Sequence, residues 1–446
     1  MTTPILDFVR AYAKKGGMRL HMPGHKGKGV LGIEWADITE IEGADVLYSA
    51  EGIIAESERN AASLFGSRKT FYSAEGSSLS IRAMLYLAAL YARSMKKRPL
   101  IWAGRNAHKA LLCAAAQIDI DLEFLIGDSC TLLSCPIDAR LLEKRLASSA
   151  EKPIALYVTS PDYLGNTVDI AALAEVAHRY GVLLLVDNAH GAYLRFLSPS
   201  AHPITLGADL ACDSAHKTLP ALTGASYLHI GQNAPTFFDD EAENAFSFFA
   251  SSSPSYLILQ SLDALNLYLD HGYREKLAEF ALCVAQSKKR LAEHGYRLVG
   301  DEPLKLTLAP KSYGYTGKEL ASILSAQGIT LEFADPDYAV MMLTPELGTR
   351  ALLEIEYLLM SIERRTPILE EAPPLPRLSR VMSAREALLS QGETVPCEKA
   401  CGRILSDAVL SCPPAIPIAV CGERLNEEAL RIFAYYGMEK CRVLCE

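Results

Sequence analysis

The 446-residue chain has no uninterrupted apolar run near the roughly eighteen residues that a helix needs to cross a bilayer. Its opening, Met1-Thr2-Thr3-Pro4-Ile5-Leu6-Asp7, lacks the basic region and apolar core of a signal peptide. A cytoplasmic protein with no membrane partner is therefore expected. Basic charge is also short: 44 Lys and Arg face 53 Asp and Glu, a formal net charge of −9. That balance argues against nucleic acid as a partner and mildly favours the approach of cations. The eleven cysteines are odd in number and scattered. Cys397 and Cys401, like Cys441 and Cys445, are four apart, with neither paired histidines nor CxxC spacing. Reduced, mostly buried thiols and no metal site are expected. Repeats and low-complexity tracts are absent too. What remains is 50% hydrophobic and 22% charged residues, enough for a large core in two to three domains.

The chain is organised around Asp213-Ser214-Ala215-His216-Lys217-Thr218-Leu219-Pro220, between stretches that read as strands, Ala208 to Cys212 and Gly224 to Ile230. A lysine in such a place is ordinarily a surface loop residue. Its chemical use there is a desolvated amine that condenses with an aldehyde to a Schiff base. Upstream, Leu183-Leu184-Leu185-Val186-Asp187 reads as a buried parallel strand with a carboxylate at its carboxyl tip, where open α/β sheets bind ligands. Pyridoxal phosphate needs such a carboxylate opposite its ring nitrogen, a lysine for its aldehyde, an anion cradle and a flat stacking group. Gly76-Ser77-Ser78, opening a helix, fits the cradle, although a plain serine cap reads the same. His108, in Arg105-Asn106-Ala107-His108-Lys109 after the strand Leu100 to Ala103, fits the stacking group, although alone it reads as a capping or core histidine.

Together with Leu20-His21-Met22-Pro23-Gly24-His25-Lys26-Gly27, Ala50-Glu51-Gly52-Ile53-Ile54, Thr159-Ser160-Pro161, Asp187-Asn188-Ala189-His190-Gly191, Ser253-Pro254-Ser255-Tyr256 and Pro413-Pro414-Ala415-Ile416-Pro417, these motifs make the chain resemble a known family. It is similar to the short-form Orn/Lys/Arg decarboxylases of the fold-type I (aspartate aminotransferase-like) pyridoxal-phosphate superfamily, from about residue 5 to about residue 430. The resemblance implies an α/β fold. A large domain, with a mostly parallel seven-stranded-type sheet covered by helices, precedes a smaller α+β C-terminal domain. The expected division is an N-terminal arm over 1–40, a cofactor-binding domain over 41–290 and a small domain over 291–446 with a proline-rich linker at 372–376. Periodicity agrees, with helices expected at 78–94, 107–116, 138–149 and 169–180, and strands at 100–103, 122–126, 154–159 and 182–186. Further strands are expected at 304–308, 329–333 and 339–343, a capped helix at 383–391 and an extended segment at 413–417.

The resemblance also implies roles. Lys217 would hold pyridoxal 5'-phosphate, Asp187 would pair with the ring nitrogen, Ala189 would pack under the ring and His108 on its other face. Gly76, Ser77, Ser78, Ser214 and His190 would line the cofactor, and His216 would lie beside the reacting bond. Ser252, in the hydroxyl run Ser251 to Ser253, would reach the phosphate of a neighbouring subunit, so a homodimer or higher homo-oligomer is expected. The reaction would be decarboxylation of lysine, ornithine or arginine, with Glu51 and Asp162 as candidates to meet the distal cation. The family more often has a small hydroxyl residue in place of Asp162, an acid for Asn188, histidine for Tyr193 and glutamine for Gly224; none of these removes a cofactor group. An aminotransferase or lyase of the same superfamily is the alternative, and a non-catalytic regulator is disfavoured by the intact Lys217 and Asp187.

Overall fold

The computed structural model describes residues 1–127, 130–412 and 416–445. The chain forms two compact units, one of Met1–Lys96 with Ile170–Leu277, the other of Lys97–Asp169 with Ala278–Glu446. Strands β1 (Lys69–Ser73), β2 (Leu100–Gly104), β3 (Asp121–Leu125), β4 (Ala155–Thr159), β5 (Leu183–Asp187), β6 (Leu210–Asp213) and β7 (Ser226–Ile230) alternate with helices. These are α1 (Pro4–Lys15), α2 (Ile53–Phe65), α3 (Ser77–Ser94), α4 (Lys109–Ile118), α5 (Ala139–Ser148), α6 (Ile170–Arg179), α7 (Ala215–Thr218), α8 (Phe237–Ser247), α9 (Tyr256–Asp270) and α10 (Tyr273–His294).

In the first unit the hydrogen-bonded order is β1-β7-β6-β5. β5 and β6 run parallel, while β7 is antiparallel to both β6 and β1. All five residues of β5 are buried, as a strand covered on both faces requires, so its apolar residues run on without alternation. β1 is not legible in the sequence. Its apolar signal is only Phe71 and Tyr72, and its place is set by pairing of Tyr72 with Tyr227 across the sheet. Where a strand-to-strand turn was expected around Lys217, the chain makes the single helical turn α7, ended at Leu219 before Pro220, which cannot continue a helix.

In the second unit β2 lies between β4 and β3, parallel to both. A separate antiparallel sheet has order β10-β11-β9-β8, from β8 (Leu298–Val299), β9 (Lys305–Leu308), β10 (Phe333–Ala334) and β11 (Ala339–Met342). Only the end of the strand expected at 329–333 pairs with β11. The helices α11 (Gly317–Ser325) and α13 (Ala384–Leu389) each open on a capping box, Thr316 with Glu319 and Ser383 with Glu386. Between them lies α12 (Gly348–Ser361), and α14 (Glu427–Tyr436) packs Ile432 and Phe433 into a C-terminal core with Leu405, Ile418 and Val443. Residues 372–376 carry no regular structure, as three prolines in that short run dictate. Of the expected extended segment, Ile416 and Pro417 lie in a strand, while Pro413, Pro414 and Ala415 fall outside the described residues.

The expectation of reduced thiols fails at one pair. Cys130 and Cys135 form a disulfide, brought together by a turn in which Thr131 N–H donates to Ser134 O at 2.7 Å. Among the described residues no helix is long and apolar enough to cross a membrane.

Candidate active site

Asp187 is the last residue of β5 and is 2% exposed. Its Oδ1 accepts the Ala189 N–H at 3.2 Å, which turns the chain sharply at the strand tip and places the small, buried Ala189 next to it. One strand over, β6 runs out into Ser214 and α7, and this turn presents Lys217. The Lys217 ammonium lies 3.1 Å from Nε2 of His190. An ammonium only donates, so His190 accepts at Nε2 and carries its proton on Nδ1. β5 and β6 are parallel neighbours, and both groups leave their carboxyl ends, the ligand side of an open α/β sheet.

His216 stands beside Lys217. Its Nδ1–H donates to Ala225 O at 2.8 Å. Burial holds its pKa below the ordinary histidine value; the Ala225 bond opposes this and the Lys217 charge adds to it. The ring is therefore neutral at pH 7, with a lone pair on Nε2 able to take a proton.

The anion cradle is built at the start of α3. Gly76 precedes the helix with φ 73°, a conformation that L side chains avoid, and a Cβ there would meet nothing within 4 Å. Its N–H is tied to Gly224 O at 2.8 Å, which aims the first turn of α3, with Ser77 and Ser78 half-buried on it. Gly224 itself has φ 99°, and a Cβ there would come within 3.0 Å of Ala74 O. A glutamine does not fit that backbone, so this departure from the family pattern has a local cause.

The residues present fit pyridoxal phosphate. Ser214 is 0% exposed, and its Oγ has no hydrogen-bond partner among the described residues, a cost of about 1–3 kcal/mol that a phosphate oxygen would remove. The α3 N-terminus suits an anion, Asp187 suits a pyridinium, and the amine of Lys217 suits an aldehyde.

The remaining expected residues fall as follows. Ser252 is exposed, as are Ser251 and Ser253, with Ser251 N–H fixed by Glu75 at 2.8 Å. Glu51 is exposed at the head of α2. The loop around it is organised by Asp45, whose carboxylate accepts the N–H groups of Glu51, Gly52 and Ile54 at 3.1, 2.8 and 2.9 Å. In the second unit, His108 caps α4, its Nδ1 accepting from Ala110 N–H at 3.2 Å. Asp162 is 4% exposed and its carboxylate accepts Leu164 N–H, Asn166 N–H and Asn166 Nδ2 at 2.8–2.9 Å. Burial raises its pKa against these bonds.

Sequence reasoning missed two buried groups. Asp213 is held by His202 and His229 at 2.9 and 3.2 Å, and their separations of 11 and 16 residues match no periodic pattern. Glu58, on α2, accepts Tyr72 N–H at 2.8 Å, and its pKa is pushed up to about 8, chiefly by burial.

The model of the Orn/Lys/Arg decarboxylase major domain matches residues 3–302, and that of the family's C-terminal domain matches 370–441. The chain is 30% identical to an arginine decarboxylase of Bacillus subtilis, over 96% of this chain and 92% of that one. It is 29% identical to an arginine decarboxylase of Halalkalibacterium halodurans, over 96% and 92%. In fold it resembles a Francisella novicida lysine decarboxylase, with TM-score 0.79, 15% identity, and 99% of this chain and 81% of that one covered. A constitutive lysine decarboxylase of Escherichia coli gives 0.77, 17%, 100% and 82%. With both family models matched in order over most of its length, the chain belongs to the Orn/Lys/Arg decarboxylase family.

Proposed function

We propose that this protein is a pyridoxal-phosphate-dependent decarboxylase of a basic amino acid, with arginine the first candidate and lysine and ornithine the others. The observation that carries the reading is Lys217, held by His190 on the turn that follows β6, the strand beside that ending in Asp187. Arginine leads because relatives matching nearly the whole chain are named arginine decarboxylases.

When bound, the cofactor supplies an electron sink for the pair released as carbon dioxide leaves. The chain supplies the rest. Asp187 keeps a positive charge on the ring nitrogen, and His190 orients the Lys217 amine. His216, neutral and with Nε2 open to a proton, is the group to hold or return the proton at the carbon left behind. Ser77, Ser78 and Ser214 hold the phosphate. His108 is assigned the ring-stacking role on the strength of its motif. Residues 41–290 are taken as the cofactor-binding domain, flanked by the 1–40 arm and the 291–446 small domain.

Glu51 is the carboxylate we assign to the distal cation, since the carboxylate of Asp162 is engaged by its own turn. Ser252 is assigned to the phosphate of a second subunit, which makes the active form a homodimer or larger. Its exposed position supports this.

The test is incubation of the holoenzyme with arginine, lysine and ornithine, following carbon dioxide and the amine product together. Equimolar carbon dioxide and amine from one of them is expected. Keto acid without carbon dioxide would instead make the protein an aminotransferase.

A further inference from the structure

Asp213 closes β6, immediately before the turn that carries Lys217, and is fully buried. Its Oδ2 meets Nε2 of His202 at 2.9 Å and Nε2 of His229 at 3.2 Å, and its Oδ1 accepts Asn188 Nδ2 at 2.7 Å. These three side chains converge as metal ligands do. The far nitrogen of His202 decides otherwise. It accepts the Ile204 N–H at 3.3 Å, so the His202 proton sits on Nε2, and that nitrogen donates to the carboxylate instead of ligating a cation. On the other side, Nδ1 of His229 is anchored to Thr70 Oγ1 at 2.8 Å, and Thr70 in turn to Ser67. Burial alone would push the Asp213 carboxyl up, but His202 and His229 outweigh it and leave an ionised group.

Asn188 joins this anion to the other strand tip. It directly follows Asp187, its side chain donates to Asp213, and its backbone N–H donates to Cys212 O at 2.9 Å. Two bonds thus stitch the end of β5 to the end of β6, one residue from Asp187 and four from Lys217. An acid at position 188 would set two carboxylates about 2.7 Å apart inside the protein, so the amide is required by its partner.

We propose that Asp213, acting through Asn188, is a positioning residue that sets the placement of Asp187 relative to Lys217 and so determines how tightly the cofactor is held. The proposal rests on the cofactor reading above. The competing account is purely structural: His202 and His229 also pack on Phe65, with ring centroids 5.5 and 4.4 Å away, and the cluster would then only support the core.

The experiment titrates pyridoxal phosphate into cofactor-free wild type, Asn188→Asp, Asp213→Asn, the double swap Asn188→Asp/Asp213→Asn, and Asn188→Ala. Dissociation constants are read from the cofactor's visible absorbance, and melting temperatures of the cofactor-free proteins are measured alongside. Each single exchange is expected to weaken cofactor binding roughly tenfold or more, since a charge-assisted bond is lost or two carboxylates collide. The swap restores an acid–amide pair in the opposite sense, and its affinity should return to within about threefold of wild type. A swap no better than the worse single variant would overturn the proposal, because the restored pair would then leave cofactor binding unrepaired. If Asn188→Asp does not fold, Asn188→Ala decides: wild-type affinity there overturns the proposal, and weakened binding at a near-wild-type melting temperature supports it. A wild type that binds no pyridoxal phosphate would instead sink the cofactor reading itself.

Discussion

Nε2 of His190 accepts a hydrogen bond from the Lys217 ammonium at 3.1 Å, so two residues 27 apart in sequence fix one amine on the helical turn α7 beyond the end of β6. This bond orients the amine that the proposed function assigns to the cofactor's aldehyde. Lys217→Ala should therefore abolish turnover together with the visible absorbance of bound cofactor. Retention of both in the purified variant would show that another amine does the work.

Asp187→Asn should keep the fold and part of the cofactor but lose most activity. The amide preserves the bond to Ala189 N–H through its oxygen, yet brings no charge to the ring nitrogen. A loss of several kcal/mol is expected in the barrier, with each ~1.4 kcal/mol a tenfold change in rate. Steady-state kcat at saturating cofactor reads this out, and a value near wild type would mean that ring charge is irrelevant here.

Glu51→Gln should raise KM for the basic substrate and lower kcat/KM by about tenfold while leaving cofactor affinity unchanged. Its loop stays organised, because Asp45 bonds the backbone of residue 51 and not its side chain. Identical kcat/KM values for arginine, lysine and ornithine in both proteins would return Glu51 to the role of a solvated loop residue.

Glu58→Gln should stabilise the protein at pH 8 and do little at pH 4. The folded pKa, about 8, lies above the ordinary glutamate value, because burial is the largest influence and Glu243 and Asp45 add to it. Such a group contributes fully below its unfolded pKa, and that contribution is lost as pH rises through the folded value. Glutamine keeps the acceptor for Tyr72 N–H and removes the ionisation. Melting temperature across pH 4 to 9 checks this; a difference between the two proteins that does not grow with pH would disprove it.

Local signals carried much of the reading. The apolar run Leu183 to Val186 with Asp187 at its end specified a buried parallel strand. Lys217, Asp187 and the Gly76-Ser77-Ser78 turn could be named as candidates because each lies inside a short motif. The sequence by itself thus determined the family and most of the central elements, and it named candidates for the cofactor groups. The folded chain alone decided which polar groups met. Locally, the carboxylate of Asp162 turned inward to its own loop, Asp45 reached seven to nine residues ahead to organise the entrance to α2, and Cys130 met Cys135. Above all, His202, His229 and Asn188 converged on Asp213. None of these has a period to read, because a buried polar group is satisfied by whatever the packing of strands and helices brings within about 3 Å, and that distance carries no trace along the chain.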